Sequence, residues 1–345
     1  MRRAAALAAV AFVLVGVAPA DAETLLPPAG RVFWGGQGGY EAWHIADFER
    51  QSGKHPAVYQ YFVSWRDAPR DLNFIAGRLT RAASQRARAL LHVSTTGTGL
   101  TPGAIAHGEG DRFLLELGRL LEEHGRPVYL RPLSEMNNAD NSYSPYDHRG
   151  RARGRAYSPG AFRAMWRRLA LIVRGGDVAG IDRALARLHQ PPVRTEAVVL
   201  PTPRVALLWV PLSFGNPEIA RNHPRHFWPG AAYVDWVGTT WYSMFRNAGA
   251  FDRFYRDRSW RRKPFVFAEF AVWGRENPGF IRRFFRFVRS HRRVRMAVYF
   301  QSSLLKRAFR LSAHPRSRTQ LRREVRWRRL QGYAPEFSAA SRTAG

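Results

Sequence analysis

Eight short apolar segments, most of them followed by a segment with helical periodicity, dominate the pattern of this sequence. Several are apolar on both faces, as strands buried in parallel sheets are. The predicted strands are Arg31–Gln37, Ala57–Trp65, Ala89–Thr95, Val128–Met136, Val205–Pro211, Val234–Tyr242, Pro264–Ala271 and Val294–Gln301. The predicted helices are Glu41–Gln51, Leu72–Ser84, Asp111–His124, Pro159–Val173, Ala250–Trp260, Pro278–His291 and Ser317–Leu330.

This alternation predicts one closed (β/α)8 TIM barrel, a fold that typically takes about 250 residues plus insertions. Ser158-Pro159 and Asn277-Pro278 are helix start signals, whereas the gap after the fifth strand is mostly loop. An open doubly wound sheet is the alternative, and it should carry a phosphate-binding turn. Gly36-Gln37-Gly38 begins such a turn but fails, because Glu41 stands where the third glycine belongs.

The N-terminus predicts export. Arg2 and Arg3 precede an uncharged run from Ala4 to Val17, and Ala20-Asp21-Ala22 supplies a cleavage pattern. We therefore expect residues 1–22 to be a signal peptide and the protein to be secreted, periplasmic or extracellular. A membrane anchor is the alternative, but a spanning helix needs about 20 apolar residues. The absence of cysteine excludes a disulfide framework, a thiolate metal site and a cysteine nucleophile.

The sequence pattern predicts one domain over residues 23–330 of the mature chain, followed by a polar tail over 331–345. No internal repeat or interdomain linker is evident. Two insertions are expected, one over Asn141–Tyr157 directly after the fourth strand and one over Gly175–Pro203 before the fifth. We expect a monomer.

The charge is strongly positive, with 55 basic and 26 acidic residues and a formal net charge of +29. Only Lys54, Lys263 and Lys306 are lysines, a ratio that suggests genome base composition. In the helical segments the arginines alternate with apolar residues, as on the solvated face of amphipathic helices. The alternative is a field that attracts an anionic polymer or membrane surface, with Arg149–Arg155 nearest the predicted cleft. No nucleic-acid motif accompanies the charge, so no nucleic-acid partner is expected.

Two glutamates stand where a barrel places its active site, at the carboxyl ends of strands. Glu135 lies near the end of the fourth predicted strand and Glu269 near the end of the seventh. Burying a carboxylate at a strand end costs free energy unless the group has a partner or a function. Glycoside cleavage requires two carboxyl groups that face each other. The alternative is that each is a capped or salt-bridged strand-end residue. Strand periodicity would put Arg131 and Leu133 on the same face as Glu135, with Arg131 beneath the catalytic layer.

These segments resemble glycoside hydrolase family 26, the β-mannanase-type enzymes. The resemblance begins with Arg131-Pro132-Leu133-Ser134-Glu135-Met136-Asn137 and continues through Val205–Pro211 and Pro229–Gly238 to Tyr242. It ends with Lys263–Glu269 and covers most of residues 31–325. It implies a retaining glycosidase acting on a polysaccharide, with Glu135 as acid/base, Glu269 as nucleophile and Tyr242 bonded to the nucleophile. No metal or cofactor is implied.

The sequence also departs from the family. Ser134 stands where these mannanases usually have histidine, and Asn138–Asn141 replaces their Gly-x-Trp. Mannan specificity is therefore not carried over. The alternative function is a non-catalytic carbohydrate-binding barrel, and a third is a cationic surface protein whose binding is indifferent to the cleft and weakened by salt.

Further residues are candidates for substrate binding or metal ligation. Core packing is expected for about half of the tryptophans near strand ends, which are Trp34, Trp65, Trp209, Trp241 and Trp273. The expected substrate-binding residues are Arg131, Asn137, Trp209, Trp241, Tyr242 and Trp273. Gln37 and His92 also lie on strands, although a core histidine is the favoured interpretation of His92. The spacing His223-x-x-His226 suggests a metal site only weakly, so none is predicted.

Overall fold

The computed structural model describes residues 25–38, 45–245, 248–302 and 308–338, so the predicted signal peptide lies outside the described residues. Eight parallel strands of one sheet close the barrel: β1 Val32–Gln37, β2 Val58–Ser64, β3 Arg88–Ser94, β4 Val128–Pro132, β5 Val205–Trp209, β6 Trp236–Tyr242, β7 Phe265–Ala271 and β8 Val294–Phe300. They pair in chain order, and β8 pairs with β1 from Met296 opposite Phe33 to Phe300 opposite Gln37. This closure confirms the predicted (β/α)8 barrel and excludes the open sheet.

Helices cover the outside of the barrel. They are α1 Ile45–Ser52, α2 Pro69–Ser84, α3 Pro102–Ala106, α4 Asp111–His124, α5 Pro159–Arg174, α6 Val178–Arg187, α7 Ala248–Arg256, α8 Pro278–Ser290 and α9 Pro315–Glu324. The two predicted caps are present, because Ser158 Oγ accepts from the N–H of Ala161 and Asn277 Oδ1 from that of Phe280. Only short 3-10 turns lie between β5 and β6, as expected. No helix in the described ranges is both long and apolar enough to cross a bilayer.

The sequence pattern missed some elements and misplaced some ends. The insertion over Gly175–Pro203 contains α6 and a two-stranded ribbon, and α3 was not predicted. Both helices are short, which leaves little periodicity to detect. The helix predicted over Ser317–Leu330 ends at Glu324. The helix predicted from Glu41 begins at Ile45, with residues 41–44 outside the described part.

Strand alternation separates two apolar layers. Side chains such as Phe33, Leu90 and Met296 point inward and form the barrel core, while neighbours such as Trp34 and Leu91 point outward and pack under the helices. The period of two along a strand produces this separation. This barrel core fills the end of the barrel where the strands begin.

Leu25 and residues 330–338, at the two ends of the described part of the chain, close the bottom of the barrel. Arg88, the first residue of β3, donates to the carbonyl oxygen of Leu25 over 2.9 Å and forms two hydrogen bonds with the Glu336 carboxylate. Ala334 and Phe337 pack against the barrel core, and Leu330 pairs with β1. Residues 330–338 therefore belong to the barrel, and the expectation of a polar tail from residue 331 is wrong for this segment.

Candidate active site at the carboxyl ends of the strands

Polar side chains form a layer directly above the apolar barrel core. Gln60, His92 and Arg131 each lie two residues beyond an inward-facing core residue of β2, β3 or β4, so strand alternation points them inward as well. All three are buried. The sequence of β2 is apolar except for Gln60 and the terminal Ser64. Gln60 was not predicted as a site residue, although a single amide within an apolar strand is a signal that could have identified it.

A β-bulge in β7 turns Glu269 inward. Thr239 of β6 pairs with Phe267 and Thr240 pairs with Glu269, so Ala268 is the extra residue. Phe267 and Phe270 pack in the outer layer, whereas Ala268 belongs to the barrel core. Bulges reorient side chains in this way and are frequent beside active sites. The bulge explains how two consecutive residues of β7, Ala268 and Glu269, can both face the interior of the barrel.

The Glu269 carboxylate is held by three side chains from three strands. Arg131 Nη1 donates to Glu269 Oε1 over 2.5 Å, and Gln60 Nε2 donates to the same oxygen over 3.2 Å. The Tyr242 hydroxyl donates to Glu269 Oε2. Burial and the charge of Glu269 raise the pKa of Tyr242 well above its usual range, so the phenol keeps its proton as a donor. The carboxylate is thereby fixed with its charge compensated.

Glu135 lies on a turn and not on a strand. β4 ends at Pro132, and both Leu133 and Glu135 have positive φ, 41° and 51°. The expectation that Arg131, Leu133 and Glu135 share one strand face is therefore wrong, and Leu133 packs in the outer layer. Positive φ is uncommon outside glycine and is kept only where the surroundings enforce it.

Backbone hydrogen bonds enforce the turn. The N–H of Leu133 donates to the carbonyl of Val93 over 2.9 Å, and that of Glu135 donates to the carbonyl of Val210 over 2.7 Å. The Ser134 hydroxyl also donates to Val210 O, over 3.0 Å. The turn is thus tied to β3 on one side and to the end of β5 on the other.

The Arg-rich insertion supports the same turn from above. Asn141 Nδ2 donates to the carbonyl of Glu135 over 2.9 Å, and the Tyr143 hydroxyl donates to that of Ser134 over 2.6 Å. Arg153 in turn donates to the carbonyls of Asn141 and Ala139, both over 2.7 Å. Of the predicted run Arg149–Arg155, Arg153 is therefore built into the fold, whereas Arg149, Arg151 and Arg155 are exposed.

The electrostatics of Glu135 favour its protonated form. Burial raises the pKa of its carboxyl, and the nearby charge of Glu269 raises it further. The Arg131 charge and hydrogen bonds from Thr240 and Asn138 act in the opposite direction, without reversing the shift. Asn138 Nδ2 donates to Glu135 Oε2 over 3.0 Å. Glu135 thus has a raised pKa, whereas the charge of the neighbouring Glu269 is compensated by Arg131. Two carboxyl groups in such different environments are expected where one acts as an acid and the other as a nucleophile.

Two of the predicted substrate-binding tryptophans lie in the outer core. Trp209 has no exposed surface and packs against Trp228 and Trp260, with ring centres 5.0 and 5.1 Å away. Trp241 is buried under α7 and α8, 4.5 Å from the Phe251 ring. Both side chains point outward from their strands, so the expectation that they contact substrate is wrong.

Asn137 is also a structural residue. It is fully buried, and its side-chain amide both donates to and accepts from the backbone of Leu212, over 3.0 and 2.8 Å. These bonds join the turn after β4 to the loop after β5. The expectation of direct substrate binding by Asn137 is therefore wrong, because no part of it is accessible.

Trp273, unlike Trp209 and Trp241, keeps part of its surface exposed. It is half-buried after β7, with its ring centre 5.4 Å from that of Tyr242 and 4.9 Å from that of Phe309. Phe245 lies beside it, with 42% of its surface exposed and a ring distance of 6.3 Å. The two rings are nearly perpendicular, at 86°, so each offers a separate, partly exposed apolar surface next to Tyr242 that an amphipathic ligand could pack against.

His92 and Gln37 have unused hydrogen-bonding atoms beside the polar layer. Neither ring nitrogen of His92 has a hydrogen-bond partner in the described residues, and Gln37 Oε1 has none either. Burial, aided by the Arg131 charge, lowers the pKa of His92 well below its usual range. His92 is therefore a neutral, unsatisfied imidazole, contrary to the expectation of a satisfied core histidine.

Within the described ranges, no group of three or more His, Asp or Glu side chains could hold a metal ion. His223 Nδ1 instead accepts from the N–H of Arg225 over 3.3 Å.

Solved structures with the same fold include proteins of glycoside hydrolase family 26. A β-mannanase of this family from Bacteroides ovatus is 13% identical, with 89% of this chain and 91% of that chain covered and a TM-score of 0.57. An endo-β-1,4-mannanase double mutant from Cellulomonas fimi is 16% identical, with 92% and 77% covered and a TM-score of 0.62. GH26A from a Muricauda species is 15% identical, with 87% and 91% covered and a TM-score of 0.57.

At these identities the likeness concerns the fold, and the barrel is similar to that of family 26 as the sequence motifs implied. No family model and no curated protein matches the chain.

Proposed function

We propose that this protein is an exported, monomeric retaining glycoside hydrolase that cuts within a polysaccharide chain. The observation that carries the proposal is the pairing of two unlike carboxyl groups. Glu269 is held by Arg131, Gln60 and Tyr242, whereas burial raises the pKa of Glu135 beside it. A glycosidase of this class needs one carboxylate fixed for attack and one carboxyl that keeps its proton.

In the first step Glu135 gives its proton to the glycosidic oxygen while a Glu269 oxygen attacks the anomeric carbon. The bond from that carbon to the leaving oxygen breaks, and a glycosyl ester of Glu269 forms. Arg131 and Tyr242 orient the attacking carboxylate, and Trp273 supports the sugar. The leaving chain departs with a new hydroxyl group.

In the second step Glu135 removes a proton from water, and the water oxygen displaces Glu269 from the anomeric carbon. The ester formed in the first step carries no charge, so one cause of the raised Glu135 pKa is gone. Glu135 is then a better base than it was in the free enzyme. Hydrolysis returns Glu269 as a carboxylate and Glu135 as an acid, and the product has the configuration of the substrate.

The test is reducing-sugar release from a panel of neutral and uronic-acid-bearing polysaccharides. Wild type is compared with Glu135→Gln, Glu269→Gln and the matched control Glu123→Gln, which changes an exposed glutamate of α4. We expect both site variants to lose activity and the control to keep it. Full activity of Glu135→Gln would contradict the acid/base assignment. NMR of the first-formed product separates retention from inversion.

A non-catalytic carbohydrate-binding barrel is the second candidate. It is favoured by Ser134, which replaces the expected histidine and whose hydroxyl bonds to the backbone of Val210. The prediction of this candidate is polymer binding without release of reducing ends anywhere in the panel. It also predicts that Glu269→Gln alters polymer binding, while reducing-sugar release stays absent in both wild type and variant.

A further inference from the structure

Two neighbouring helices on the outside of the barrel have a one-sided charge. α8 contains four arginines and no acidic residue, and the segment from Pro315 to Arg329 contains seven arginines and only Glu324 as an acid. α8 and α9 pack against each other. Their apolar residues, such as Phe284, Val288 and Leu321, face the barrel, so the arginines cover the outer surface.

A groove of about 460 Å³ lies on this surface, lined by Arg282, Arg286, Arg289, Ser290 and Glu324. The three arginines are spaced by four and three residues, so they form a row along one face of α8. The row extends over about 10 Å at the helical rise of 1.5 Å per residue. Such a row suits several negative charges along a chain better than a single ion.

The one carboxylate of the groove is already neutralised. Glu324 Oε2 accepts from Arg289 over 2.6 Å, and Oε1 accepts from Gln320 over 2.7 Å. The Arg289 guanidinium also lies 5.5 Å from the Trp327 ring centre, which fixes its position. Within the described part of the chain, the side chains of Arg282 and Arg286 make no hydrogen bond or ion pair, and the backbone carbonyl of Arg286 accepts from Ser290 Oγ. The groove therefore carries positive charge that the fold does not compensate.

The groove runs along α8, with Arg282 toward the beginning of the helix and Arg289 and Ser290 at its end. α8 follows β7, the strand that carries Glu269, so the first turn of α8 lies at the carboxyl ends of the strands. The row from Arg282 to Arg289 then descends the side of the barrel. A polymer lying in the groove would contact the side of the barrel and not the cleft.

We propose that this groove binds a carboxylated polysaccharide, a chain that contains uronic acids, as a second site outside the cleft. Arginine guanidinium groups match carboxylates in a bidentate geometry. A bilayer is a poorer match, because none of the exposed large apolar residues of the described chain lies on α8 or α9 to insert into it. The choice of a polysaccharide rests on the proposed function, since the cleft of the same barrel would take the same kind of polymer.

The test measures binding to polygalacturonate, to neutral glucomannan, to a DNA duplex and to vesicles with anionic lipid. The variant is Arg282→Gln/Arg286→Gln. The control is Arg187→Gln/Arg258→Gln, which removes the same charge from exposed arginines on α6 and after α7. We expect the groove variant to bind polygalacturonate about tenfold more weakly and the control to bind it unchanged, because two exposed ionic contacts are lost.

Equal losses in the two variants would show that net charge, not the groove, binds the polymer, and would overturn the proposal. Absence of binding to polygalacturonate, or preference for DNA or vesicles, would overturn it too. Glu269→Gln separates this proposal from the proposed function. If that variant binds polygalacturonate normally and wild type proves inactive, only the proposed function fails. If wild type hydrolyses a polysaccharide but does not bind polygalacturonate outside its cleft, only the groove fails.

Discussion

Arg131 Nη1 lies 2.5 Å from Glu269 Oε1 inside the barrel, and the arginine side chain has no exposed surface. Gln60 joins the pair, donating to Glu269 and accepting from Arg131. An ion pair of this kind is costly to break by removing one partner, since the other charge is left buried and unpaired. The arrangement therefore couples the stability of the barrel to the state of the proposed nucleophile.

Replacing Arg131 with methionine should lower the free energy of unfolding by about 3–5 kcal/mol. The double variant Arg131→Met/Glu269→Gln should recover part of this loss, because no charge is left unpaired, while activity stays absent. Chemical denaturation of the two single variants and the double variant measures the coupling. Strictly additive effects would contradict a direct interaction.

Glu135 should make stability depend on pH. Its pKa in the folded protein is raised, so its contribution to stability is present below the unfolded pKa and is lost as pH rises through the folded pKa. The Tm of Glu135→Gln should therefore match wild type near about pH 4 and exceed it by about 2–4 °C at neutral pH. Thermal denaturation across pH tests this, with Glu123→Gln as the exposed control. A pH-independent Tm difference would argue against the raised pKa.

Tyr242→Phe removes only the hydroxyl that donates to Glu269 Oε2. We expect kcat to fall about a hundredfold, as on removal of one charge-stabilising donor, with KM nearly unchanged. Steady-state kinetics on the polysaccharide identified by the panel provides the measurement. Wild-type kcat in this variant would mean that the hydroxyl has no part in the reaction.

Arg153→Ala should lower kcat through the Glu135 turn, because Arg153 anchors the carbonyls of Asn141 and Ala139. A roughly tenfold effect is expected for a small displacement of a reacting group. Arg151→Ala is the matched control on the same loop, where Arg151 is exposed and pairs only with Asp147. Similar kinetics for the two variants would show that the anchor is unnecessary.

The tryptophans should separate into two classes. Trp209→Ala should cost about 3–5 kcal/mol of stability, because it empties a packed site in the outer core. Trp273→Ala should instead raise KM about threefold to tenfold, as expected for one lost aromatic contact. Denaturation and kinetics on both variants distinguish the two roles. A raised KM with normal stability in Trp209→Ala would place that residue in the cleft after all.

All eight strands and the two glutamates could be predicted because their signals are local. Apolar runs of five to seven residues form buried strands wherever they pack, and a carboxylate beside such a run is conspicuous in the sequence. Gln60 was detectable by the same logic. Tyr143 was not, because its contact with Ser134 depends on how the insertion folds back.

The direction of individual side chains depended on the tertiary structure. Periodicity placed Glu135 on a strand face, but the chain turns after Pro132 with two positive φ angles. Hydrogen bonds that the turn donates to carbonyls of β3 and of the residue after β5 enforce these angles. Sequence periodicity also cannot reveal that a bulge turns Glu269 inward, or that Trp209 and Trp241 point outward. Local pattern thus determined the order of the eight barrel strands and of most helices between them. Pairing between strands distant in the chain decided which side chains face the cleft, because register and bulges arise only when those strands meet.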